Sequence, residues 1–431
     1  MIDIQILRNE PELVRRKSLE KLVEIDTDRL LQLDNKYREL LQEVEDLRQK
    51  RNEISAMMKN GKPEQQLIDE GKQIKLQLAG RERLLTQSLQ EFEAEFSKIP
   101  NISLDNVPVG QSEEDNVVTK SVGEKPEFSF TPKTHWEIGE ARGLFDKERA
   151  AKVSGSRFVY LKGNLVKLQF AIVQFVMDTL SDETILQRII TDNDLSLTAK
   201  PFVPVLPPAV LRTEPYVASA RLNAEEVTYK IEQDDLWLNA SAEHTMCTMY
   251  WNEVLPFDQL PIRYIAYSPS FRREAGTYGK DTEGIIRLHQ FDKLEMEVFS
   301  DGASGYDEHR FLIAIQEYLM QCLGLHYNYV KKSTADIGKP NASGVDIDCW
   351  FPGQERYIET HTADYMTDYQ SRDLKIRTKL HDEMQFVHTN DATAFALSRI
   401  LAAIMENFQN EDLSIRVPEV LQKYMGGEQT L

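Results

Sequence analysis

Between about residues 27 and 99 the apolar residues recur at alternating steps of three and four, a period that leaves little choice of structure. Leu30, Leu33, Tyr37, Leu40, Val44, Leu47, Ile54 and Met58 mark it, with Arg51 interrupting once. Such spacing runs one apolar seam along an α-helix and requires a second helix to cover it. Gly61-Lys62-Pro63 breaks the run, as glycine and proline do. The pattern resumes through Ile74, Leu78, Leu85, Leu89, Phe92, Phe96 and Ile99, and Pro100-Asn101-Ile102-Ser103 ends it. Two helices of similar length around one break predict an antiparallel coiled-coil hairpin. About 30 residues per helix would carry the tip ~45 Å from its base. Such a hairpin serves as a reach device or as a dimerisation scaffold, and periodicity alone admits both.

Arg48, Lys50, Arg51, Lys59 and Lys62 gather toward the expected tip, with Lys72, Lys75, Arg81 and Arg83 on the return helix. Acidic residues are interleaved throughout, so the basic signal is modest. The whole chain has 51 basic and 70 acidic side chains, a net charge of −19. That balance argues against broad, non-specific nucleic-acid binding, whose affinity rests on phosphate neutralisation. It leaves room for a local basic surface.

A chain of 431 residues exceeds one usual domain. The expected division is an arm over 1–105 and a second domain over 106–431. No apolar run approaches the ~20 residues needed to span a bilayer. Asp3, Glu10 and Glu12 argue against a mitochondrial presequence, and Cys247, Cys322 and Cys349 are too few and too scattered for a disulfide framework or a cysteine-rich zinc site. A cytoplasmic protein is expected. Residues 104–130 read as a linker. Helical stretches follow at about 144–152, 165–180 and 306–323, and strand-like runs near 262–271, 285–300, 326–332, 345–351 and 355–360. Antiparallel strands flanked by helices make this second domain α+β.

The residues richest in chemistry are Phe271-Arg272-Arg273-Glu274-Ala275-Gly276 and Gly284-Ile285-Ile286-Arg287-Leu288-His289-Gln290-Phe291. They surround one expected hairpin with guanidinium forks suited to phosphate oxygens, glycines that let backbone approach a ligand, and an aromatic ring. Phe291 and Glu295 are four apart on a strand, which leaves both on one face. The pattern resembles motif 2 of class II aminoacyl-tRNA synthetases, and its second half resembles seryl-tRNA synthetases in particular.

The resemblance extends over nearly the whole chain. Ser154-Gly155-Ser156-Arg157-Phe158 is similar to the start of that family's catalytic domain. The following helix with Val205-Leu206-Pro207-Pro208 resembles motif 1, which implies a homodimer. Leu238-Asn239-Ala240-Ser241-Ala242-Glu243 stands where the family usually has Thr-Ala-Glu. Its hydroxyl and carboxylate, two apart on an expected strand, would face the same way. Thr389 to Arg399 resembles motif 3, with Arg399 on a helix.

The resemblance implies ATP-dependent activation of L-serine followed by transfer to the 3′ end of tRNA-Ser. Arg272 and Arg399 would be the catalytic residues. Arg272, Glu274, Arg287, Phe291, Glu359 and Arg399 would bind ATP. Ser241, Glu243, Arg272, Glu295 and Thr393 would bind serine, and Glu359 and Thr362 would hold Mg²⁺. The N-terminal hairpin, with Arg48, Lys50, Arg51, Lys59 and Lys62, would grip tRNA-Ser. The alternatives are a paralogue that activates another small amino acid or loads a carrier protein, and a non-catalytic RNA-binding or scaffold homologue.

The chain departs from the family's usual residues at His361, Ala363, Asp364 and Tyr365, and again at Asp391-Ala392-Thr393, where Asn-Gly-Ser is usual. A carboxylate and an imidazole brought close would satisfy each other and raise the histidine pKa. Asp391 and His361 are therefore expected to pair.

Overall fold

The computed structural model describes residues 1–59, 64–222, 228–274 and 283–431. Lys62 and the Ala275-Gly276 pair lie outside the described residues. The chain divides into two compact units, Met1–Ile102 and Ser103–Leu431.

In the first unit the seam behaves as the period requires. Helices Thr27–Lys59 and Gln65–Phe96, of 33 and 32 residues, pack along each other. Leu30, Leu33, Leu40, Val44 and Ile54 on one helix, and Ile74, Leu78, Phe92 and Phe96 on the other, are buried. Lys36–Glu91, Glu43–Arg81 and Arg48–Glu82 ion pairs, at 3.2, 2.9 and 2.8 Å, bridge the helices across the seam's edges. Two short helices, Ile4–Asn9 and Pro11–Glu20, precede them. Arg8 donates twice to Asp34, at 2.9 and 2.7 Å.

The second unit is built on a mixed sheet of eight strands among the described residues. In spatial order they are Val117–Val122, Tyr327–Lys331, Ser343–Phe351, Arg356–Thr367, His388–Ala396, Gln290–Ser300, Ile262–Phe271 and Val203–Val205. Neighbours are antiparallel except the last pair, which is parallel. Helices Asn164–Ser181, Gly305–Leu323 and Leu397–Asn407 contribute to the core with the inner face of the sheet. The strand Val117–Val122 lies within the stretch expected to be a linker. Its first five residues are exposed, so an edge strand there leaves no alternation of apolar and polar residues. Residues 285–289, expected to open a strand, instead make an irregular approach, and pairing begins at Gln290.

That approach is anchored from below. Gly284 has a left-handed backbone (φ +69°), and a Cβ there would fall 1.9 Å from the His135 ring, so only glycine fits. Ile285 N–H donates to His135 Nε2 at 3.2 Å, and His135 Nδ1 lies 2.7 Å from the buried Glu406 carboxylate. Ile285, Ile286 and Leu288 are buried around this anchor.

A second buried device holds the strand Ile262–Phe271. Arg263 donates to Glu308 at 2.9 and 2.7 Å and to the carbonyls of Thr198 and Lys200 at 2.8 and 2.9 Å. Both side chains are wholly buried. Glu308→Ala would strand the guanidinium, and a loss of ~3–5 kcal/mol in unfolding free energy is expected. Denaturant titration measures it, and a loss below ~1 kcal/mol would rule out this role.

Two β-bulges decide which side chains share a face. Ile347 pairs with His361 but Asp348 pairs with Glu359, so Thr360 is extra. Leu294 pairs with Phe395 but Glu295 with Thr393, so Ala394 is extra. An inserted residue reverses the facing of everything beyond it. Glu359 and Thr362, three apart, therefore lie on one face together with Asp346, Asp348 and Asp364. His361 turns to the other face.

Candidate active site

On the face opposite the helices a cleft of about 140 Å³ is lined by Arg272, Glu274, Arg287, Phe291, Glu359, Thr362, Thr393 and Arg399, among others. Eight residues expected to handle ATP, metal or serine thus meet in one place, drawn from positions 272 to 399. Beside it a wider cleft of about 670 Å³ shares Arg287, Lys332, Glu359 and Arg399 and adds Asp346, Asp348 and Arg356.

Each cation is held in advance. Arg272 Nε donates to the Ala240 carbonyl at 3.1 Å, while its guanidinium lies 5.4 Å from the centre of the Phe291 ring. Its backbone N–H donates to the His289 carbonyl at 3.0 Å. Arg287 donates to Glu274 at 3.2 Å. Arg399, in the first turn of Leu397–Asn407, donates to the Glu359 carbonyl at 2.7 Å and to its carboxylate at 3.0 Å. The Glu359 side chain is about half exposed, and Arg399, then Lys332 and Arg272, hold its carboxyl below its ordinary value. Lys332 Nζ lies 3.4 Å from Thr362 Oγ1 and 3.6 Å from Asp346. Glu359, Thr362, Asp346 and Asp348 offer only oxygen, the donor set that a hard cation such as Mg²⁺ takes.

Of the residues expected to bind serine, Arg272 and Thr393 line this cleft, and Ser241, Glu243 and Glu295 are buried beside it. Ser241 and Glu243 are not on a strand. Ser241 precedes the helix Ala242–Met246, and Glu243 lies in its first turn. A turn of helix brings them together as alternation would have done: Ser241 Oγ donates to Glu243 at 3.0 Å and lies 3.4 Å from Glu295.

Lys293 joins them. Its ammonium is 2.6 Å from Glu295, 2.9 Å from Ser241 Oγ and 3.5 Å from Glu243. Burial pushes the Glu295 carboxyl up to about 8, against the pull of Lys293. Burial would raise Glu243 too, yet Lys293 and Arg221 hold it well below the carboxylate range. Lys293 was legible in principle, since it lies midway between Phe291 and Glu295 on the same alternating face.

Arg221 carried no local signal. It comes from a loop after the helix Thr213–Ala218 and forms a very short ion pair with Asp391. This corrects the expected Asp391–His361 pair. His361 and Asp391 lie on opposite faces, because His361 follows the parity of Ala363 and Ala392, while Asp391 faces with Asp364 and Glu297. His361 packs edge-on against Phe395, with Nδ1 2.8 Å from the Thr360 hydroxyl. Burial presses its pKa down to about 3 rather than up.

Glu243, Glu295 and Asp391 place one oxygen each within 4.8 Å of one another. Lys293 and Arg221 already sit on these carboxylates, so the protein's own cations balance the group.

The antiparallel sheet and its arginine-lined cleft define a class II aminoacyl-tRNA synthetase core, and the tRNA synthetase class II core domain (G, H, P, S and T) matches residues 228–408. The Seryl-tRNA synthetase N-terminal domain matches residues 1–103. The chain belongs to the seryl-tRNA synthetase family. It is 35% identical to the serine–tRNA ligase of Nitrosopumilus maritimus over the full length of both chains. It is 38% identical to that of Caldanaerobacter subterraneus subsp. tengcongensis, over 99% of this chain and 98% of the relative. The crystal structure of seryl-tRNA synthetase from Pyrococcus horikoshii complexed with ATP superimposes with a TM-score of 0.86 at 34% identity, covering 100% of this chain and 99% of that one.

Proposed function

We infer that this chain is a serine–tRNA ligase, which joins serine to AMP from ATP and passes the seryl group to the 3′ end of tRNA-Ser. The observation that carries the reading is the convergence of Arg272, Arg287, Phe291, Glu359 and Arg399 on one cleft, with Ser241, Glu243 and Glu295 beside it. In this reading the serine carboxylate attacks the α-phosphorus and pyrophosphate leaves. Arg272 stands between the two anions as charge concentrates there, and Arg287 and Arg399 hold the remaining phosphates. Phe291 stacks on the base and Glu274 reads its edge. Glu359 and Thr362 would hold Mg²⁺, whose chemistry is to neutralise and orient the phosphate oxygens. Glu243 receives the serine ammonium, and Glu295 and Thr393 receive its hydroxyl.

The chain's surroundings are part of the same proposal. Phe170 on the helix and Val203 on the strand of the motif 1 region, with Leu206 just after that strand, are all more than half exposed, which supports a homodimer. Among the described residues no helix is long and apolar enough to cross a membrane, and a cytoplasmic setting fits the reading. On the arm, Arg48 is bonded to Glu82 and Arg51 to Asn52, so Lys50 and Lys59 are the stronger candidates among the described residues for contact with tRNA.

Amino-acid-dependent ATP–pyrophosphate exchange tests the central claim. Serine is expected to be preferred over threonine, alanine and cysteine. Alanine would leave the buried acceptors unpaired, at a cost of ~1–3 kcal/mol. Equal exchange with alanine would refute the serine assignment.

A further inference from the structure

We propose that Arg221 is a positioning residue for the amino-acid site: it pairs with Asp391 and fixes it as a polar wall of the serine pocket. The inference rests on the reading of that pocket given above. The observation behind it is a row of carboxylates that the sheet register creates. Asp364 pairs with Asp391 across one ladder, and Asp391 pairs with Glu297 across the next. Like charges directly opposite one another repel, and all three residues are buried. The neighbouring rung, Thr393 against Glu295, belongs to the serine site.

Arg221 meets this row from a loop outside the sheet, at Asp391, while Lys332 lies 3.9 Å from its Asp364 end. Besides its short contact with Asp391, Arg221 lies 3.8 Å from Glu243 and 4.0 Å from Asp364. It therefore ties the acidic row to the carboxylate assigned to the serine ammonium. Its own placement is over-determined. Ala220 adopts a left-handed backbone (φ 56°), Ser219 Oγ accepts from Arg221 N–H at 3.2 Å, and Gln370 donates to the Ser219 carbonyl at 2.9 Å. Tyr216, on the preceding helix, bonds His244 at 2.7 Å, next to Glu243. Asp391 Oδ2 is held by Arg221, whereas Oδ1 is buried with no partner among the described residues. An acceptor left open beside the serine site, held by a cation from a remote loop, is what a positioned substrate contact requires.

The test is steady-state pyrophosphate exchange on the full-length protein with serine and ATP varied separately. Arg221→Met is expected to raise the serine KM about tenfold or more, because it strands a buried carboxylate, with the ATP KM within about twofold. Adding Asp391→Asn to that variant removes the stranded charge. The serine KM is then expected to return to within about threefold of the parent. Equal rises in both KM values, or no recovery in the double variant, would overturn the proposal. If Arg221→Met does not fold, Arg221→Lys carries the test. It keeps the charge but loses the planar fork, and the serine KM should rise several-fold at an unchanged Tm; an unchanged serine KM would overturn the proposal. Absence of serine-dependent exchange in the parent protein would instead count against the serine-ligase reading.

Discussion

Arg272→Ala is expected to slow seryl-adenylate formation about a hundredfold, a loss of ~3 kcal/mol in transition-state stabilisation, while the protein stays folded. The side chain is held by one carbonyl bond to Ala240 and by its position over Phe291. It contributes little to the core, so the effect should fall on chemistry. Single-turnover adenylate formation, with circular dichroism as the folding control, separates the two. A guanidinium matched to both reacting anions should lower kcat more than it raises either KM. Arg399→Ala should behave alike. Its loss also releases Glu359, to which it donates at 3.0 Å, so the ATP KM should rise as well. Unchanged turnover in folded Arg399→Ala would remove that residue from the ATP site.

Deleting residues 30–98 and closing the gap with a short flexible linker is expected to abolish efficient tRNA charging and to leave serine-dependent pyrophosphate exchange within a few-fold of the parent. The helical pair buries its own seam and carries its own cross-helix ion pairs. Among the described residues, none that lines the cleft comes from it. With a net charge of −19 for the chain, binding through the arm would depend on the shape of the RNA as well as on phosphate charge, as is common for structured RNA. Its salt dependence should therefore be shallow. A truncated enzyme that charged tRNA normally would return the hairpin to a scaffold role.

What could be read from sequence were the features whose physics is local. The heptad period of Leu30 to Met58 and of Ile74 to Ile99 depends only on helix geometry, and the two helices follow it. Phe291 and Glu295 share a face because strands alternate, and the same rule covered Lys293. Arg272, Arg287, Glu359 and Arg399 stood out because their spacing resembles a known family's motifs, and they line one cleft.

Tertiary structure decided the rest. The strand Val117–Val122 has no pattern of its own, since an exposed edge buries neither face. Ser241 and Glu243 meet through a helical turn, not through strand alternation. The bulge at Thr360 brings Glu359 onto the face of Thr362, while the register of the neighbouring ladder sets His361 and Asp391 on opposite faces. No short-range signal marks such an insertion, because it exists only relative to the partner strand. Arg221 reaches Asp391 from 170 residues away in sequence, and charge compensation at that distance is a property of the packed fold alone. Sequence alone therefore determined which chemical groups the protein owns and which helices it forms. Which charges face one another, and which imidazole is buried neutral, was decided when the sheet closed and took water away from them.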